Sequence, residues 1–421
     1  MRKAGEAARA VLAVMAGVAV VTAAAHDNAL GGVLKSDGAG ALHVNSSDPL
    51  TQPVLLNGQD VLSVLKEQAS TNQELRNLTA NLTQRITSLE EEVCKLQIPK
   101  LNWIPRAGSG NDKWLGGALA PNGLIYAVPY SATSALIINP ATDTLDTTTI
   151  TNLPYSSRKW HDGVLAPNNN VIYCFPHSHD SVLRIDTATN TADWTTITGM
   201  GTANDKFRSG VLGNNGLIYG IPHHASFVLI IDPRADTTDT TTLSGLSTSI
   251  AKWWGGVVAP DGRIFGIPRD ADSVLIIDPD ANTLDTTSLG GLGYAAAKWA
   301  GGVLANNDLI YGIPRDSDSA LIIDPEAMTA DTTTITGLST QYFKWIGGVL
   351  AANGKVIGIP FSSDSVLLID PETNTTDITS LSGAGTASEK FIGGVLAPNN
   401  FIYAIPFCAG SALKIDMGCW V

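Results

Sequence analysis

A repeat of about 46 residues restricts this chain to a small set of architectures. A lysine followed by an aromatic residue recurs at intervals of 46, 47, 46, 46, 46 and 46 residues. The seven pairs are Lys113-Trp114, Lys159-Trp160, Lys206-Phe207, Lys252-Trp253, Lys298-Trp299, Lys344-Trp345 and Lys390-Phe391. A fixed period of this length indicates a fold in which each repeat forms one supersecondary unit.

The content of one repeat predicts which unit it forms. In the fifth repeat, four short segments rich in β-branched residues span 301–305, 309–314, 319–324 and 331–336, and Asn, Gly and Pro separate them. Four short strands with such turn residues are typical of a propeller blade. We therefore expect an all-β fold, a single seven-bladed β-propeller with four-stranded blades.

The two ends of the repeat region predict how the ring closes. The seventh repeat stops after its third segment, 411–416, whereas residues 101–108 align without gaps to 194–201, the fourth segment of the second repeat. The N-terminal strand should therefore complete the last blade, which closes the ring and removes an open sheet edge.

The repeat resembles those of the NHL, streptogramin-lyase and SMP-30-like propeller families. The similarity lies in a small-residue strand, a Pro-Asn/Asp-Gly turn and an Ile-aromatic strand, as in residues 120–126 and 259–265. The repeats are also similar to those of secreted proteins of algae and other protists. These resemblances imply an architecture and leave the function open, because propellers carry many functions.

Four regions are expected along the chain. Residues 1–25 have a basic start, an apolar run and a small-residue end, the pattern of a signal peptide, with an uncleaved signal anchor as the alternative. Residues 26–58 are predicted to be a polar flexible arm, residues 59–97 a coiled-coil stalk, and residues 98–421 the propeller. We expect a secreted or cell-surface protein with no membrane span in the mature chain.

The predicted stalk has a heptad pattern over about four heptads. Position a falls on Leu65, Asn72, Thr79, Ile86 and Val93, and position d on Gln68, Leu75, Leu82, Leu89 and Leu96. Residues 85–90 resemble the Arg-hydrophobic-x-x-hydrophobic-Glu pattern of short parallel trimeric coiled coils. We therefore favour self-association as a trimer over a dimer; a single amphipathic helix lying on the propeller is the alternative.

The overall charge excludes one class of partner. Lys and Arg total 26 against 39 Asp and Glu, which gives a net charge of −13. An acidic chain without a basic stripe repels phosphate backbones, so we expect no nucleic acid.

The seven repeated lysines admit two interpretations. A ring formed by Lys113, Lys159, Lys206, Lys252, Lys298, Lys344 and Lys390 could hold a polyanion near one end of the channel. Alternatively, each lysine pairs with an acid that begins a third strand, such as Asp180, Asp272, Asp318 or Asp364. We favour the pairing.

Functional positions are expected where the repeats differ. The loops before the first strand and between the second and third strands open onto one face, and there the second and third repeats depart from the consensus. The candidate residues are His161, Asp162, His177, His179, Asp180, Arg208, His223 and His224. The next two repeats carry Arg269-Asp270 and Arg315-Asp316 at the corresponding loop, and the last two carry Phe361 and Phe407.

The histidine-rich sector suits a divalent metal or a general base. Exposed loop variation without function is the simpler interpretation, because none of these histidines has the i, i+4 spacing of a helical metal motif. The propellers that the repeat resembles use a His/Glu pair or a carboxylate-rich calcium site for lyase or lactonase chemistry. No glutamate lies in these loops, so the cofactor stays unknown and no catalytic residue is assigned.

The cysteines and sequons fit an oxidising compartment. We expect a Cys94–Cys419 disulfide, with an interchain Cys94 bond as the alternative, and no bond between Cys174 and Cys408. Sequons for N-glycosylation begin at Asn45, Asn77, Asn81 and Asn374.

Two classes of function remain, with a third behind them. The first is an extracellular recognition or matrix protein that presents propeller loop faces to a glycan or protein on an oligomeric stalk. The second is a metal-dependent hydrolase or lyase acting at the histidine sector. The third is a structural building block without a ligand.

Overall fold

The computed structural model describes residues 33–36, 42–45, 55–56, 59–96 and 98–418. The predicted signal peptide and Cys419 lie outside these residues. The chain divides into two units, Met1–Val93 and Cys94–Val421. Within the described residues, no helix is both long enough and apolar enough to cross a membrane.

The N-terminal unit contains short strands and one long helix. Val33–Ser36 pairs antiparallel with Leu42–Asn45, and Leu55–Leu56 pairs with Gln59–Asp60, so the predicted arm contains regular structure that its polar composition did not suggest. The helix spans Val61–Leu96. Ser63 Oγ donates a hydrogen bond of 2.6 Å to Asp60 Oδ2 at its start.

The apolar stripe of this helix faces solvent in the single chain. Leu75, Leu82, Ile86 and Leu89 are 47–57 % exposed. Solvent-exposed leucines at regular a and d spacing leave the helix without the burial that normally stabilises an amphipathic helix. The helix is therefore present as predicted, and its association with other copies stays a prediction.

The second unit is a seven-bladed propeller of four-stranded antiparallel sheets, as the repeat predicted. The innermost strands are Trp114–Leu119, Trp160–Ala166, Phe207–Leu212, Trp253–Val258, Trp299–Leu304, Trp345–Leu350 and Phe391–Leu396. The second strands are Ile125–Pro129, Val171–Pro176, Ile218–Pro222, Ile264–Pro268, Ile310–Pro314, Val356–Pro360 and Ile402–Pro406. The third strands are Leu136–Asn139, Leu183–Asp186, Leu229–Asp232, Leu275–Asp278, Leu321–Asp324, Leu367–Asp370 and Ser411–Asp416. The outer strands of blades 1 to 6 are Thr144–Asp146, Thr191–Asp193, Thr237–Asp239, Thr283–Asp285, Thr329–Asp331 and Thr375–Asp377.

The ring closes as predicted. Lys100–Pro105 pairs antiparallel with Ser411–Asp416 and forms the outer strand of blade 7. Ile104 of this strand is buried in a cluster with Trp114 of blade 1 and Ala412 of blade 7. One N-terminal strand thus connects the last blade to the first.

Hydrophobic clusters hold each blade against the next. In one of them, Tyr126 and Val128 of blade 1 pack with Trp160 and Ile172 of blade 2. The aromatic residue after each lysine is buried in such a cluster, as expected; Trp160 also donates a hydrogen bond from Nε1 to the Ser181 carbonyl. Every blade thereby depends on its neighbour for its core.

Candidate ligand site on the propeller axis

The third residue after each repeated lysine lies on the channel axis in a left-handed conformation. This residue is glycine in five blades, with φ from +63° to +91°, at Gly116, Gly255, Gly301, Gly347 and Gly393. A β-bulge at this point in the inner strand places it opposite no single partner. A Cβ at Gly255 would lie 2.8 Å from the Cα of Gly301. Both φ and the close approach of neighbouring blades therefore favour glycine.

Blades 2 and 3 carry side chains at this position. Asp162 has φ +56° and Ser209 has φ +76°. A non-glycine residue in this region costs roughly 1–2 kcal/mol, and such strain clusters at functional sites. The two substitutions put a carboxyl and a hydroxyl group on an axis that is otherwise lined by backbone.

The Asp162 carboxyl titrates close to neutrality. Burial raises its pKa to about 6, although the Ser209 hydroxyl and the Gly163 amide act in the opposite direction. Gly163 N donates to Asp162 Oδ1 over 2.9 Å. Near pH 6 this group can therefore exist as a hydrogen-bond donor or as an anion.

An axial cavity of ≈ 250 Å³ lies beside these residues. His161, Asp162, Ser209, Trp254, Ile346 and Ile392 contribute side chains to its wall, and the glycines of the inner strands contribute backbone. Such a volume accommodates a small ligand or one sugar ring. Its polar side chains all come from blades 2 and 3, so the cavity is chemically one-sided.

His161 is the polar side chain of this wall with unused hydrogen-bonding capacity. It is 3 % exposed, and neither ring nitrogen has a hydrogen-bond partner. Burial holds its pKa well below the usual range, with the Arg208 charge acting in the same direction. A neutral imidazole offers one donor and one acceptor, and a buried group left without partners is destabilising. A ligand in the cavity can supply those partners.

A second group of side chains lies next to His161. The His177 ring stacks on it at 6.0 Å, and His177 Nε2 contacts the Asp205 carboxylate. Arg208 Nη2 donates to Asp205 Oδ1 over 3.0 Å, and the guanidinium lies over the Trp254 ring at 4.2 Å. Burial acts to raise the pKa of Asp205, but His177 and Arg208 hold it well below its usual range.

His223 and His224 complete the histidine sector. Their rings stack at 4.7 Å, and the His223 ring meets the Trp254 ring edge-on at 6.3 Å. Both ring nitrogens of His223 are buried without a hydrogen-bond partner. Burial lowers the pKa of His223, and the Arg208 and Arg269 charges lower it further. Like His161, this ring is neutral.

The structure separates His179 and Asp180 from this group. His179 lies against the Trp160 ring at 4.7 Å, and its Nδ1 is 2.9 Å from Ser181 Oγ. The Asp180 carboxylate accepts hydrogen bonds from the amides of Gly199 and Gly201. Both residues therefore hold loops in place, and their positions do not bring them to the cavity.

The expectation of exposed histidines is wrong for three of the five. His161, His177 and His223 are 0–3 % exposed. The inner-strand bulge and the turn after each second-strand proline direct these side chains toward the axis, and sequence position alone does not show that direction.

The two other sectors are present as predicted. Arg269 pairs with Asp270 over 2.8 Å, and Arg315 pairs with Asp316 over 3.3 Å. The apolar sector consists of buried aromatic rings: Phe361 lies 6.1 Å from Phe407, which lies 5.9 Å from Tyr130.

Neither interpretation of the lysine ring describes the observed contacts. All seven lysines are buried, and each ammonium donates to backbone carbonyls. Lys159 Nζ, for example, binds the carbonyls of Tyr130, Ala132 and Ser156 at 2.9–3.2 Å. Within the described residues, none of the seven lies within ion-pair distance of a carboxylate. The expected pairing with the third-strand acids is therefore wrong, because lysine and acid each bind the backbone of the inter-blade loops.

The histidine sector does not provide a metal-ligand set. Across the described part of the chain, the ligand atoms of at least three His, Cys, Asp or Glu residues converge at Asp112, Glu389 and Cys408, and not among the histidines. The side chains of blades 2 and 3 therefore do not fit a shared divalent ion.

The described cysteines and sequons have these positions. Cys174 is buried and Cys408 is half-buried, and both are free. Asn77 and Asn81 are exposed on the helix, and Asn45 ends a short strand. Asn374 accepts a hydrogen bond from the Tyr311 hydroxyl over 2.8 Å. The proposed Cys94 partner, Cys419, is outside the described residues.

Four residues of the site were not anticipated from the sequence. They are Tyr130, Asp205, Ser209 and Trp254. Ser209 could have been found, since an alignment of the seven repeats shows that only Asp162 and Ser209 replace the glycine at their position. The contacts of Asp205 and Trp254 join different blades, and the repeat pattern does not reveal them.

Comparisons with known proteins bear on the architecture. No protein-family model and no curated protein matches the sequence. Among solved structures, a streptogramin B lyase aligns with TM-score 0.58 and 11 % identity over 75 % of this chain and 97 % of the lyase. A catalytically inactive His-to-Ala variant of virginiamycin B lyase from Staphylococcus aureus, with quinupristin, aligns with TM-score 0.61 and 11 % identity over 75 % of this chain and 99 % of the lyase. The predicted likeness to streptogramin-lyase propellers is confirmed for the fold.

A second kind of propeller is also similar. The extracellular domain of a putative hybrid two-component system from B. thetaiotaomicron aligns with TM-score 0.56 and 10 % identity, over 76 % of this chain and 42 % of that chain. Identities of 10–11 % establish a shared fold and carry no function. The site chemistry of this chain must therefore be argued from its own residues.

Proposed function

We propose that this protein is an extracellular recognition protein that binds a ligand at the propeller axis and presents several propellers on a helical stalk. One observation carries the proposal: Asp162 and Ser209 keep a left-handed backbone where five blades use glycine. Strain of this kind, beside a buried histidine without partners, is unfavourable for folding alone. Both features are accounted for by a ligand that uses the side chains.

The shape of the site supports binding of a small group. The cavity of ≈ 250 Å³ holds one ring-sized moiety. Its polar wall offers a carboxyl, a hydroxyl and a neutral imidazole, whereas Ile346 and Ile392 are apolar. Sugars present hydroxyl groups on one side and C–H groups on the other, so a glycan terminus suits this wall; a side chain of a protein partner is the alternative ligand.

The helix supports presentation of several copies. Its exposed leucines need a partner, and a second and third copy of the same helix supply matching faces. Linked sites raise avidity by roughly 10²–10⁴ over single-site affinity when the geometry allows simultaneous binding. The secretory leader predicted at residues 1–25 and the extracellular domain among the similar propellers support an extracellular location.

A glycan array tests this proposal. The full mature chain is applied to immobilised glycans beside the variants His161→Phe and His179→Phe. The His161→Phe change removes two ring nitrogens that have no protein partner, so folding is kept and binding is lost. The His179→Phe change lies outside the cavity and retains binding. Equal binding by all three proteins, or no ligand on the array or among extracellular proteins, would leave the structural role as the better account.

A second function is favoured by the titration of Asp162. A carboxyl group with pKa about 6 beside a neutral histidine can act as a general acid or base in a hydrolase or lyase. Recovery of an array ligand after incubation distinguishes the two. An intact ligand supports recognition, and conversion by the native protein but not by Asp162→Asn supports the enzyme.

A further inference from the structure

We propose that Arg208, Arg269 and Arg315 bind the oxyanion group of a small acidic ligand at this axial site. The inference rests on the proposed recognition function and adds the chemical class of the ligand. That class consists of compounds with a single carboxylate or sulfate, as in an acidic sugar or a small organic acid.

The three arginines come from consecutive blades and turn toward one another. Arg269 and Arg315 hold equivalent positions, directly after the proline that ends the second strand of blades 4 and 5. Arg208 belongs to the inner strand of blade 3 and lies on Trp254 of blade 4. Burial lowers the pKa of Arg315 to about 10, and the charges of Arg269 and Arg208 contribute to the lowering. Three guanidinium groups therefore repel one another in a partly desolvated place, and an anion relieves that repulsion.

Acidic neighbours orient two of these guanidinium groups without occupying their binding edge. Asp270 accepts from Arg269 Nη1 over 2.8 Å and from the Ala297 amide over 2.6 Å. Asp316 likewise accepts from Arg315 Nη1 over 3.3 Å and from the Phe343 amide over 2.6 Å. Each carboxylate is held by a backbone amide and so fixes its arginine. The edge formed by Nε and Nη2, which binds oxyanions in bidentate fashion, has no protein hydrogen bond in either residue.

The Nε atoms point to a missing acceptor. Nε of Arg208, Arg269 and Arg315 is buried and has no hydrogen-bond partner. A buried unpaired donor costs about 1–3 kcal/mol, and native proteins rarely leave several together. An oxyanion supplies acceptors for these donors at one place.

Size and charge favour a single acidic group over a polyanion. The arginine side chains are 8–18 % exposed, so a long charged chain has little access to them. The protein as a whole carries a net charge of −13, which repels a polyanion. Phe343 lies under Arg315 at 4.0 Å and next to Phe361 at 6.2 Å. These rings offer an apolar surface for the body of the ligand.

Isothermal titration calorimetry of the full chain tests the inference. Glucuronate, phenylacetate and inorganic sulfate are titrated at physiological ionic strength, with neutral glucose as the uncharged comparison. We expect binding of at least one anion and none of comparable strength for glucose. The Arg269→Gln/Arg315→Gln variant should bind that anion at least about tenfold more weakly, because two bidentate contacts are lost. Preference for glucuronate, phenylacetate or bare sulfate separates an acidic sugar, an organic acid and an isolated anion site.

A matched arginine provides the control. Arg263 of blade 4 also pairs with an aspartate, Asp261, and lies over an aromatic ring, Phe265, but it is not part of the axial group. Arg263→Gln should leave anion binding unchanged. If the double variant fails to fold by circular dichroism, Arg269→Lys is used. It keeps the charge, lacks the two-donor edge, and should show the same weakening.

Several outcomes would overturn the inference. They are absence of anion binding, equal binding of glucose, or unchanged anion affinity in the Arg269 variants. Glycan binding that persists in the arginine variants and disappears in His161→Phe would reject the anionic class and keep the recognition function. Loss of the recognition function is shown separately, by the absence of any ligand that depends on His161.

Discussion

The Asp162 carboxylate fills the space that a side chain at Gly116 of the neighbouring blade would occupy. Elsewhere on the axis the corresponding space is filled by the backbone of the next glycine. The functional substitution in blade 2 therefore depends on a glycine in blade 1, and the two positions are energetically coupled.

This coupling predicts the effect of Gly116→Ala. Gly116 has φ +63° and Gly123 has φ +78°, but a Cβ at Gly123 meets nothing within 4 Å. Gly116→Ala should lower the free energy of unfolding by about 2–4 kcal/mol, because strain and a clash combine. Gly123→Ala should cost only about 1 kcal/mol from strain. Urea denaturation measures both. Adding Asp162→Gly should reduce the cost of Gly116→Ala to that of Gly123→Ala; failure of this rescue would disprove the coupling.

The raised pKa of Asp162 predicts a pH dependence of stability. Its pKa is about 6 in the folded state and about 4 in the unfolded chain, so the folded protein binds more protons between these values. The contribution of this group to stability therefore falls as pH rises from 4 to 6 and is lost above 6. Asp162→Asn should match the native protein at pH 4 and exceed it by about 1–3 kcal/mol at pH 7. Calorimetric melting at both pH values checks the difference, and a variant less stable at pH 7 would contradict it.

Closure of the ring predicts a large effect of one isoleucine in the N-terminal strand. Ile104 is 4 % exposed, whereas Ile98, just before the strand, is 80 % exposed. Ile104→Ala should lower the free energy of unfolding by about 2–4 kcal/mol, since it leaves a cavity where blades 7 and 1 meet. Ile98→Ala should change it by less than about 0.5 kcal/mol. Similar melting temperatures for the two variants would show that this strand does not hold the ring.

The exposed seam of the helix predicts an oligomer that one charge disrupts. Leu89 is a d position and 57 % exposed in the single chain, and Gln84 is an outward position of the same heptad pattern. Light scattering after size exclusion should give a trimer mass for the native protein and for Gln84→Glu, and a monomer mass for Leu89→Glu, because three buried carboxylates repel one another. A native monomer, or a Leu89→Glu trimer, would reject the stalk.

The sequence was sufficient for the architecture because every blade repeats the same physical requirements. The lysine spacing located seven blades, and residues 101–108 located the closing strand. The site was predicted only in part. His161, Asp162, His177 and Arg208 were recognised as departures from the repeat, but their burial was not. The direction of a side chain at a bulge, and contacts such as that between Asp205 and His177, arise from neighbouring blades and have no signature within one repeat.

The most direct test of the axial site restores the repeat consensus in blades 2 and 3. The double variant Asp162→Gly/Ser209→Gly should be more stable than the native protein by about 1–3 kcal/mol in urea denaturation, because two strained residues are relieved. The same variant should lose the ligand identified on the glycan array. Increased stability together with lost binding is the predicted result. A variant that is less stable than the native protein, or that binds the ligand unchanged, would contradict a ligand site at the propeller axis.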